Sequence, residues 1–124
     1  MPTLSTARLR LRKLTMHDAQ DIYNYSSDPL VAKYVLWSAH KSIGESRAYL
    51  RYMIRNYHAC EPASWGIEYL PEHRIIGTIG FMWIQNSNRA AEVGYSLSRP
   101  YWNKGIMTEA LRRAGAQIEG EGPA

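Results

Sequence analysis

The clearest chemical signal in this 124-residue sequence is a short loop, Tyr101-Trp102-Asn103-Lys104-Gly105-Ile106, between a predicted strand and a predicted helix. A glycine-containing loop in that position can hold an anion, because its backbone N–H groups and the positive end of the helix dipole converge on one point. Gly105 allows close backbone approach, Lys104 adds positive charge, and Thr108 offers a helix cap or a hydroxyl. The same residues also fit an ordinary loop, so on their own they leave both interpretations open.

Several other site patterns are absent from the sequence. It contains neither G-x-x-x-x-G-K-[ST] nor G-x-G-x-x-G, so an NTPase or a Rossmann dehydrogenase has no support. The four histidines and the single cysteine, Cys60, show no metal-ligand spacing, and we therefore expect no metal site.

Hydrophobic periodicity predicts the elements that must position the loop. Alternation at period two over residues 8–13 predicts a first strand whose arginines form a charged outer face, a common way to protect a sheet edge. Capping boxes at Thr15 with Asp18 and at Ser42 with Glu45 predict the starts of two helices. Three strands and a last helix follow, at residues 64–70, 74–84, 90–98 and 108–113. The predicted order is β-α-α-β-β-β-loop-α.

Composition limits the class of protein. Hydrophobic residues make up 45% and charged residues 21%, as in an ordinary globular chain, and no apolar run approaches the roughly 20 residues of a membrane span. A single cysteine cannot form an internal disulfide, and the first residues lack the order of a secretory signal, so we expect a cytoplasmic protein. The formal charge of +4 suits an anionic partner, but no run of five like charges supports nucleic-acid binding, which would rest on net charge alone.

Four segments in order resemble one known family. The segments are Thr6–Arg12, Ile75–Phe81, Ala91–Tyr95 and Tyr101–Leu111. Together they look like the GNAT N-acetyltransferases, specifically the RimJ/RimL-like branch that modifies N-terminal amines of ribosomal proteins. The resemblance covers residues 3–113. It implies an α/β (α+β) fold with a mostly antiparallel sheet and helices on both faces.

The resemblance also implies acetyl-CoA as co-substrate. Acetyl-CoA would enter between two splayed strands, with its pyrophosphate on the loop Trp102–Met107 and its pantetheine arm along the strand Glu92–Ser98. This sequence departs from the wider family at Trp102, where Arg or Gln is preferred, and at Met107, where Gly or Ala is preferred. The residues so assigned to cofactor binding are Tyr95, Leu97, Trp102, Asn103, Lys104, Gly105, Ile106, Met107 and Thr108.

The implied reaction is direct attack of a neutral amine on the acetyl thioester. Glu92 is the candidate general base, acting through water, although an exposed strand glutamate or an ion pair with Arg89 fits equally well. Backbone N–H groups near Leu97 would polarise the thioester carbonyl. The acceptor amine would lie against Tyr34, Trp37 and His40, with Trp37 as a core residue the alternative.

The resemblance fades within the predicted last helix. We therefore expect residues 1–113 to form the N-terminal part of a C-terminally truncated GNAT domain, without the later strands and the helix that would supply a general acid. Residues 114–124 contain one large apolar side chain and are expected to be a disordered tail.

The expected truncation leaves the strand at residues 90–98 on an open sheet edge, and we expect that edge to associate as a homodimer or larger homo-oligomer. A truncated gene, or a second chain that supplies the missing half, would also account for the short domain. The alternative function is a catalytically inactive CoA-binding or dimerisation module.

Overall fold

The computed structural model describes residues 2–32, 39–59, 63–83 and 91–121. Its strands are β1 (Leu4–Ser5), β2 (Leu9–Arg12), β3 (Ser64–Tyr69), β4 (Arg74–Trp83) and β5 (Ala91–Leu97). Its helices are α1 (Ala19–Ser26), α2 (Pro29–Ala32), α3 (Ile43–Ala59) and α4 (Ile106–Glu121). A 3₁₀ turn at Met16–Asp18 precedes α1, and another at Arg99–Tyr101 follows β5. Within these ranges, none of the helices has the length and apolar character that a membrane crossing demands.

The five strands form one antiparallel sheet in the order β1-β2-β3-β4-β5. Helices α1 and α3 pack on one face and α4 packs on the other, each over its own buried cluster. The predicted mixed fold is therefore confirmed, and two short elements, β1 and α2, lie outside the predicted order. Among the described residues β5 is an edge strand, as expected.

The arginines around β2 have a different role from the one predicted. Because β1 pairs with β2 through Leu4 and Ser5, β2 is an inner strand rather than an edge. Arg12 donates to the carboxylates of Asp18 and Glu68 with N···O distances of 3.0 Å, and both carboxylates are buried. Its hydrogen bond to Asp18 is the main cause of the raised pKa of Arg12. The alternation of residue types would be the same in an edge strand and in this inner strand, but it does not show the acidic partners, of which Asp18 lies six residues and Glu68 lies 56 residues along the chain.

The 3₁₀ turn that leads into α1 begins at the predicted capping box. The Asp18 carboxylate accepts a hydrogen bond from the Thr15 N–H at 2.8 Å, and Thr15 is extended, as an N-cap residue should be. Since the same carboxylate holds Arg12, one side chain fixes both the helix start and the end of β2.

An extra residue in β4 decides which of its side chains face which helix layer. Ile67 pairs with Gly77 whereas Glu68 pairs with Ile75, so Ile76 has no partner of its own and forms a bulge. Ile75 packs with α1 and α3, while Ile76 joins the cluster under α4. Neighbouring residues of a strand face opposite sides in any case. The bulge changes the phase of that alternation, so that Ile76 and Ile79, three positions apart, both join the cluster under α4.

The end of the chain departs from expectation. Helix α4 continues to Glu121, so residues 114–121 are helical where a disordered tail was predicted. Ala110 and Ala114 are completely buried against the sheet. Their small side chains let the helix approach closely, and a search for large apolar residues overlooks such a contact.

We predict that the β4–β5 pairing tolerates no side chain at Gly77. A Cβ there would overlap the backbone carbonyl oxygen of Ser96 on the paired strand, so Gly77→Ala should lower the free energy of unfolding by about 1–3 kcal/mol. Gly94→Ala is the matched control, since a Cβ at Gly94 meets nothing within 4 Å. It should be neutral or stabilising by up to about 1 kcal/mol. Chemical denaturation measures both variants, and equal effects would contradict the prediction.

Candidate active site

An open cleft of about 570 Å³ lies where β5 ends and α4 begins. It is lined by one residue of α2, by three consecutive residues of β5 and by most of the segment 101–108. Eight of the nine residues predicted to bind a cofactor line this one cleft: Tyr95, Leu97, Trp102, Asn103, Gly105, Ile106, Met107 and Thr108. The fold thus brings together residues from the strand edge and from the loop that the sequence singled out.

The outer edge of β5 presents backbone groups to this cleft. The Ser98 N–H donates to the Ile76 carbonyl at 2.7 Å. Every second residue of an antiparallel strand faces the same partner, so the backbone groups of Ser98, Ser96 and Gly94 face β4. Because these groups alternate along an antiparallel strand, the N–H and C=O of Tyr95 and Leu97 point the other way. In the described part of the chain, no strand pairs with that outer side. The edge therefore offers amide groups to a ligand.

Trp102 uses one of these outward groups. Its indole N–H donates to the Leu97 carbonyl oxygen at 2.7 Å, and its ring packs against both buried clusters. The hydrogen bond folds the loop back over the strand end. Two outward N–H groups, of Tyr95 and Leu97, and the Tyr95 carbonyl remain directed at the cleft.

The loop itself has a turn that favours anion binding. Asn103 and Gly105 have φ angles of 61° and 75°, on either side of Lys104. Left-handed residues next to right-handed ones turn successive backbone N–H groups toward one side. The 16-residue helix α4 begins at Ile106, directly after Gly105, so the positive end of its dipole lies at the same place. Glycine tolerates this φ at little cost, which explains Gly105.

An ion pair joins the loop to the sheet from behind. Glu109, in the first turn of α4, accepts hydrogen bonds from the Arg8 backbone N–H at 3.1 Å and from Arg8 Nε at 2.8 Å, and it also contacts the Thr6 hydroxyl. Arg8 Nη1 donates to the Lys104 carbonyl at 3.1 Å. Burial would raise the pKa of Glu109, but these hydrogen bonds and the Arg8 charge outweigh it and lower the pKa below its ordinary value.

The wall opposite the loop is fixed by a second ion pair. Arg99 Nε lies 2.7 Å from Asp28 Oδ2, and the other oxygen of Asp28 accepts the Leu30 N–H at 3.0 Å. Asp28 thus ties the start of α2 to the segment after β5. Val31, the α2 residue that lines the cleft, is buried in the cluster under α1 and α3.

Buried hydroxyl groups lie behind the strand edge. Ser96, which lines the cleft, is within 2.9 Å of the Thr78 hydroxyl, and Tyr25 lies beside both, since these two hydroxyl groups oppose the rise of its pKa. Burial raises the pKa of Tyr25 to about 12. Tyr25 is therefore protonated at neutral pH, where it can hold hydrogen bonds but cannot act as a general base.

The structure separates some predicted site residues from the cleft. The Lys104 side chain is exposed and does not line it. His40 lies against α3 instead: its backbone N–H donates to the Ser26 carbonyl at 2.8 Å, its Nδ1 is 2.8 Å from the Ser46 hydroxyl, and its ring contacts Tyr49. Among the described residues, no group of His, Cys, Asp and Glu gathers as metal ligands would.

The other predicted residues are described in part or not at all. Glu92 pairs with Met82 in the β4–β5 ladder, but the structure describes only its backbone. Tyr34, Trp37, Arg89 and Cys60 lie outside the described residues. Their predicted roles stay predictions.

Sequence reasoning missed the residues that support the site from other elements. Arg8 and Glu109 were part of the quoted segments, but nothing in their spacing of 101 positions indicates contact. Val31 had no signal of its own, and Ser96 had only its place in the predicted strand at residues 90–98.

The comparison with known families decides the identity of the fold. The Acetyltransferase (GNAT) domain matches residues 8–121. The chain belongs to the GNAT acetyltransferase family. That assignment confirms the resemblance carried by the four segments.

Relatives extend the comparison. The "Uncharacterized N-acetyltransferase p20" of Bacillus licheniformis is 36% identical over 114 residues, which are 91% of this chain and 64% of that protein. A ribosomal-protein alanine acetyltransferase from Vibrio fischeri has the same fold, with 21% identity, a TM-score of 0.73, and coverage of 98% of this chain and 69% of the other. The self immunity acetyltransferase MccE, crystallised with acetyl-CoA and AMP, gives 21% identity, a TM-score of 0.80, and coverage of 94% and 66%. This GNAT chain therefore spans less than two thirds of its curated relative.

We predict that His40 titrates below its ordinary pKa of 6.5. Burial lowers the pKa, and the negative charge of Glu45 opposes that shift, so Glu45→Gln should lower the pKa further. Since folding lowers this pKa, the stabilising contribution of neutral His40 is complete above about pH 6.5 and is lost as the pH falls through the folded-state pKa.

An NMR titration of the His40 ring measures this pKa, and Glu72→Gln, in the exposed turn after β3, is the charge-matched control. A His40 midpoint at or above 6.5 would show that the ring is not shielded from water.

Proposed function

We propose that this chain binds acetyl-CoA in the cleft beside β5 and transfers the acetyl group to a primary amine, of a protein N-terminus or a small molecule. One observation carries the proposal. The outward amide groups of β5 and the left-handed loop at the start of α4 open onto the same cleft.

The donor set fits the two chemically different parts of acetyl-CoA. The pantetheine arm contains amides, which pair with an open strand edge as an added strand would. The N–H groups of Tyr95 and Leu97 and the Tyr95 carbonyl are available for that pairing. The pyrophosphate needs converging N–H donors and positive potential, which residues 103–107 at the α4 N-terminus provide. The complex of MccE with acetyl-CoA supports the same co-substrate here.

The chemistry requires a neutral amine and a polarised carbonyl. Acetyl-CoA supplies an activated acyl group with a thiolate leaving group. In the proposed reaction Glu92 accepts a proton from the amine through water, so that the nitrogen lone pair can form the new C–N bond. The Leu97 or Tyr95 N–H stabilises negative charge on the carbonyl oxygen as the C–S bond breaks. The nitrogen loses a second proton as the amide forms, and the CoA sulfur takes up that proton, while the proton on Glu92 returns to solvent through the water. The products are an acetamide and CoA.

The acceptor amine is proposed to lie against the segment that follows α2. Tyr34, Trp37 and His40 are proposed to contact the amine substrate, because they follow α2, which forms one wall of the cleft. N-terminal peptides of ribosomal proteins are the first substrates to examine, given the likeness to that branch of the family.

Two measurements on one sample test the proposed function. Calorimetric titration with CoA measures binding, and thiol release from acetyl-CoA with a panel of N-terminal peptides measures turnover. Turnover that falls at least about tenfold in Glu92→Gln, with CoA affinity unchanged, supports the enzyme and the base. Saturable CoA binding without turnover would favour the inactive CoA-binding module. Absence of CoA binding would refute the proposal as a whole.

We predict that CoA affinity depends on the loop backbone more than on the loop lysine. Gly105→Pro removes an N–H donor and forces φ to about −65°, far from 75°, so CoA affinity should fall by about tenfold or more. Lys104→Ala removes an exposed charge and should weaken CoA binding by about fivefold or less. Circular dichroism of both variants is the control for folding. Equal losses would mean that side-chain charge holds the phosphates.

The expected homodimer stays a prediction. Pairing of two β5 edges would use the same N–H groups of Tyr95 and Leu97 that the proposed function gives to the cofactor arm. The two uses exclude each other at these residues, so a dimer compatible with CoA binding must use another part of the surface.

A further inference from the structure

The loop that faces the cleft is held from its other side by a side chain far away in the sequence. Arg8, immediately before β2, donates through Nη1 to the Lys104 carbonyl at 3.1 Å and through Nε to Glu109 at 2.8 Å. Lys104 lies between the two left-handed residues of the loop, and Glu109 lies in the first turn of α4. One guanidinium therefore spans the junction between loop and helix.

Peptide planarity gives this contact a consequence for the cleft. The Lys104 carbonyl and the Gly105 N–H belong to one planar trans peptide unit and point in opposite directions. Holding the carbonyl toward Arg8 turns the Gly105 N–H away from Arg8. Gly105 lines the cleft and Arg8 does not, so an N–H that is turned away from Arg8 is turned toward the cleft, where the phosphate of a ligand would be bound.

Glu109 fixes Arg8 itself. Its carboxylate accepts from the Arg8 backbone and side chain and contacts Thr6, whose backbone N–H and hydroxyl close the turn between β1 and β2. The Glu109 N–H donates back to the Gly105 carbonyl at 3.0 Å, which continues the helix into the loop. The turn before β2, the loop and α4 are thereby joined at one point.

From this geometry we infer that Arg8 is a positioning residue for the phosphate part of the cofactor. The inference rests on the proposed function, and it assigns Arg8 a role that differs from charge attraction. Its positive charge is matched by Glu109 at 2.8 Å, so the pair adds little net field at the loop. Its contribution is the fixed orientation of the Lys104–Gly105 peptide unit.

Three variants separate orientation from charge. Arg8→Gln removes the brace and leaves Glu109 as an unmatched negative charge, whereas Arg8→Gln with Glu109→Gln removes the brace without a change in net charge. Arg8→Lys keeps the charge, but one ammonium cannot reproduce the two-directional contacts of the planar guanidinium. Arg10→Gln is the matched control, because Arg10 lies two residues along and its nearest carboxylate is Glu68 at 3.7 Å.

The measured quantity is the affinity for CoA and, separately, for pantetheine, which has the amide arm without the phosphates. We expect Arg8→Gln and the double variant to lose about tenfold or more in CoA affinity, which is the loss typical of one or more missing hydrogen bonds to a charged group. Arg8→Lys should lose a smaller part of the CoA affinity. Pantetheine affinity should stay within about twofold in all of them, and Arg10→Gln should bind CoA like the wild type.

Each contrary result has a distinct meaning. Recovery of CoA affinity in the double variant would assign the effect to charge and overturn the inference. A parallel loss of pantetheine affinity, or wild-type CoA affinity in all Arg8 variants, would also overturn it. Failure of the wild-type chain to bind CoA would refute the proposed function instead. If Arg8→Gln does not fold, Arg8→Lys, with its ion pair retained, decides by the same comparison of the two ligands.

Discussion

The organisation of the site depends on how the backbone groups of β5 are divided between its two sides. Groups of Gly94, Ser96 and Ser98 are used by β4, and this register is enforced where Gly77 lies against the Ser96 carbonyl with no room for a side chain. A shift of one residue would exchange the two sets and turn Ser96 away from Thr78. The fixed register leaves the amides of Tyr95 and Leu97 facing outward, and the described residues add no strand there. Trp102 then closes the end of that edge through the Leu97 carbonyl.

The two helix layers hold this edge in different ways. On one face α1 and α3 cover the buried hydroxyl groups of Thr78 and Ser96, which lie 2.9 Å apart and tie β4 to β5, and Tyr25 of α1 lies beside them. On the other face α4 approaches through Ala110 and Ala114, so its first turn comes close enough for Glu109 to reach the turn before β2. Small residues on a helix therefore determine where the loop before that helix can lie.

The sequence pattern predicted most of the helices and strands, because the signals for these elements lie within short stretches of the chain. Residues only a few positions apart determine the capping box of Thr15 and Asp18, the alternation in β2 and the positions of β3, β4 and β5. The extent of α4 was underestimated because burial of alanines has no periodic signal of its own.

For the site, the family resemblance located the strand edge and the loop, since both are contiguous segments. The contact between Arg8 and the Lys104 carbonyl joins residues 96 positions apart and depends on how the sheet and α4 pack, which no single segment encodes. The same holds for His40, whose contacts with Ser46 and Tyr49 on α3 its residue type alone did not indicate.

The presence of a carboxylate beside a loop suited to phosphate is at first sight unfavourable. Glu109 lies one turn into α4, where a negative charge is stabilised by the helix dipole but would repel a bound anion. Pairing with Arg8 removes that conflict, because the guanidinium neutralises the carboxylate at 2.8 Å and lies on the side of the loop away from the cleft. The carboxylate can then act as a mechanical anchor, since it joins α4 to the turn before β2 through the Thr6 hydroxyl and the Arg8 N–H. A neutral side chain such as glutamine has only one acceptor oxygen and could not satisfy all three donors with charge-assisted hydrogen bonds. The loop thus obtains its rigidity from a charged pair whose net charge, at the phosphate side, is close to zero.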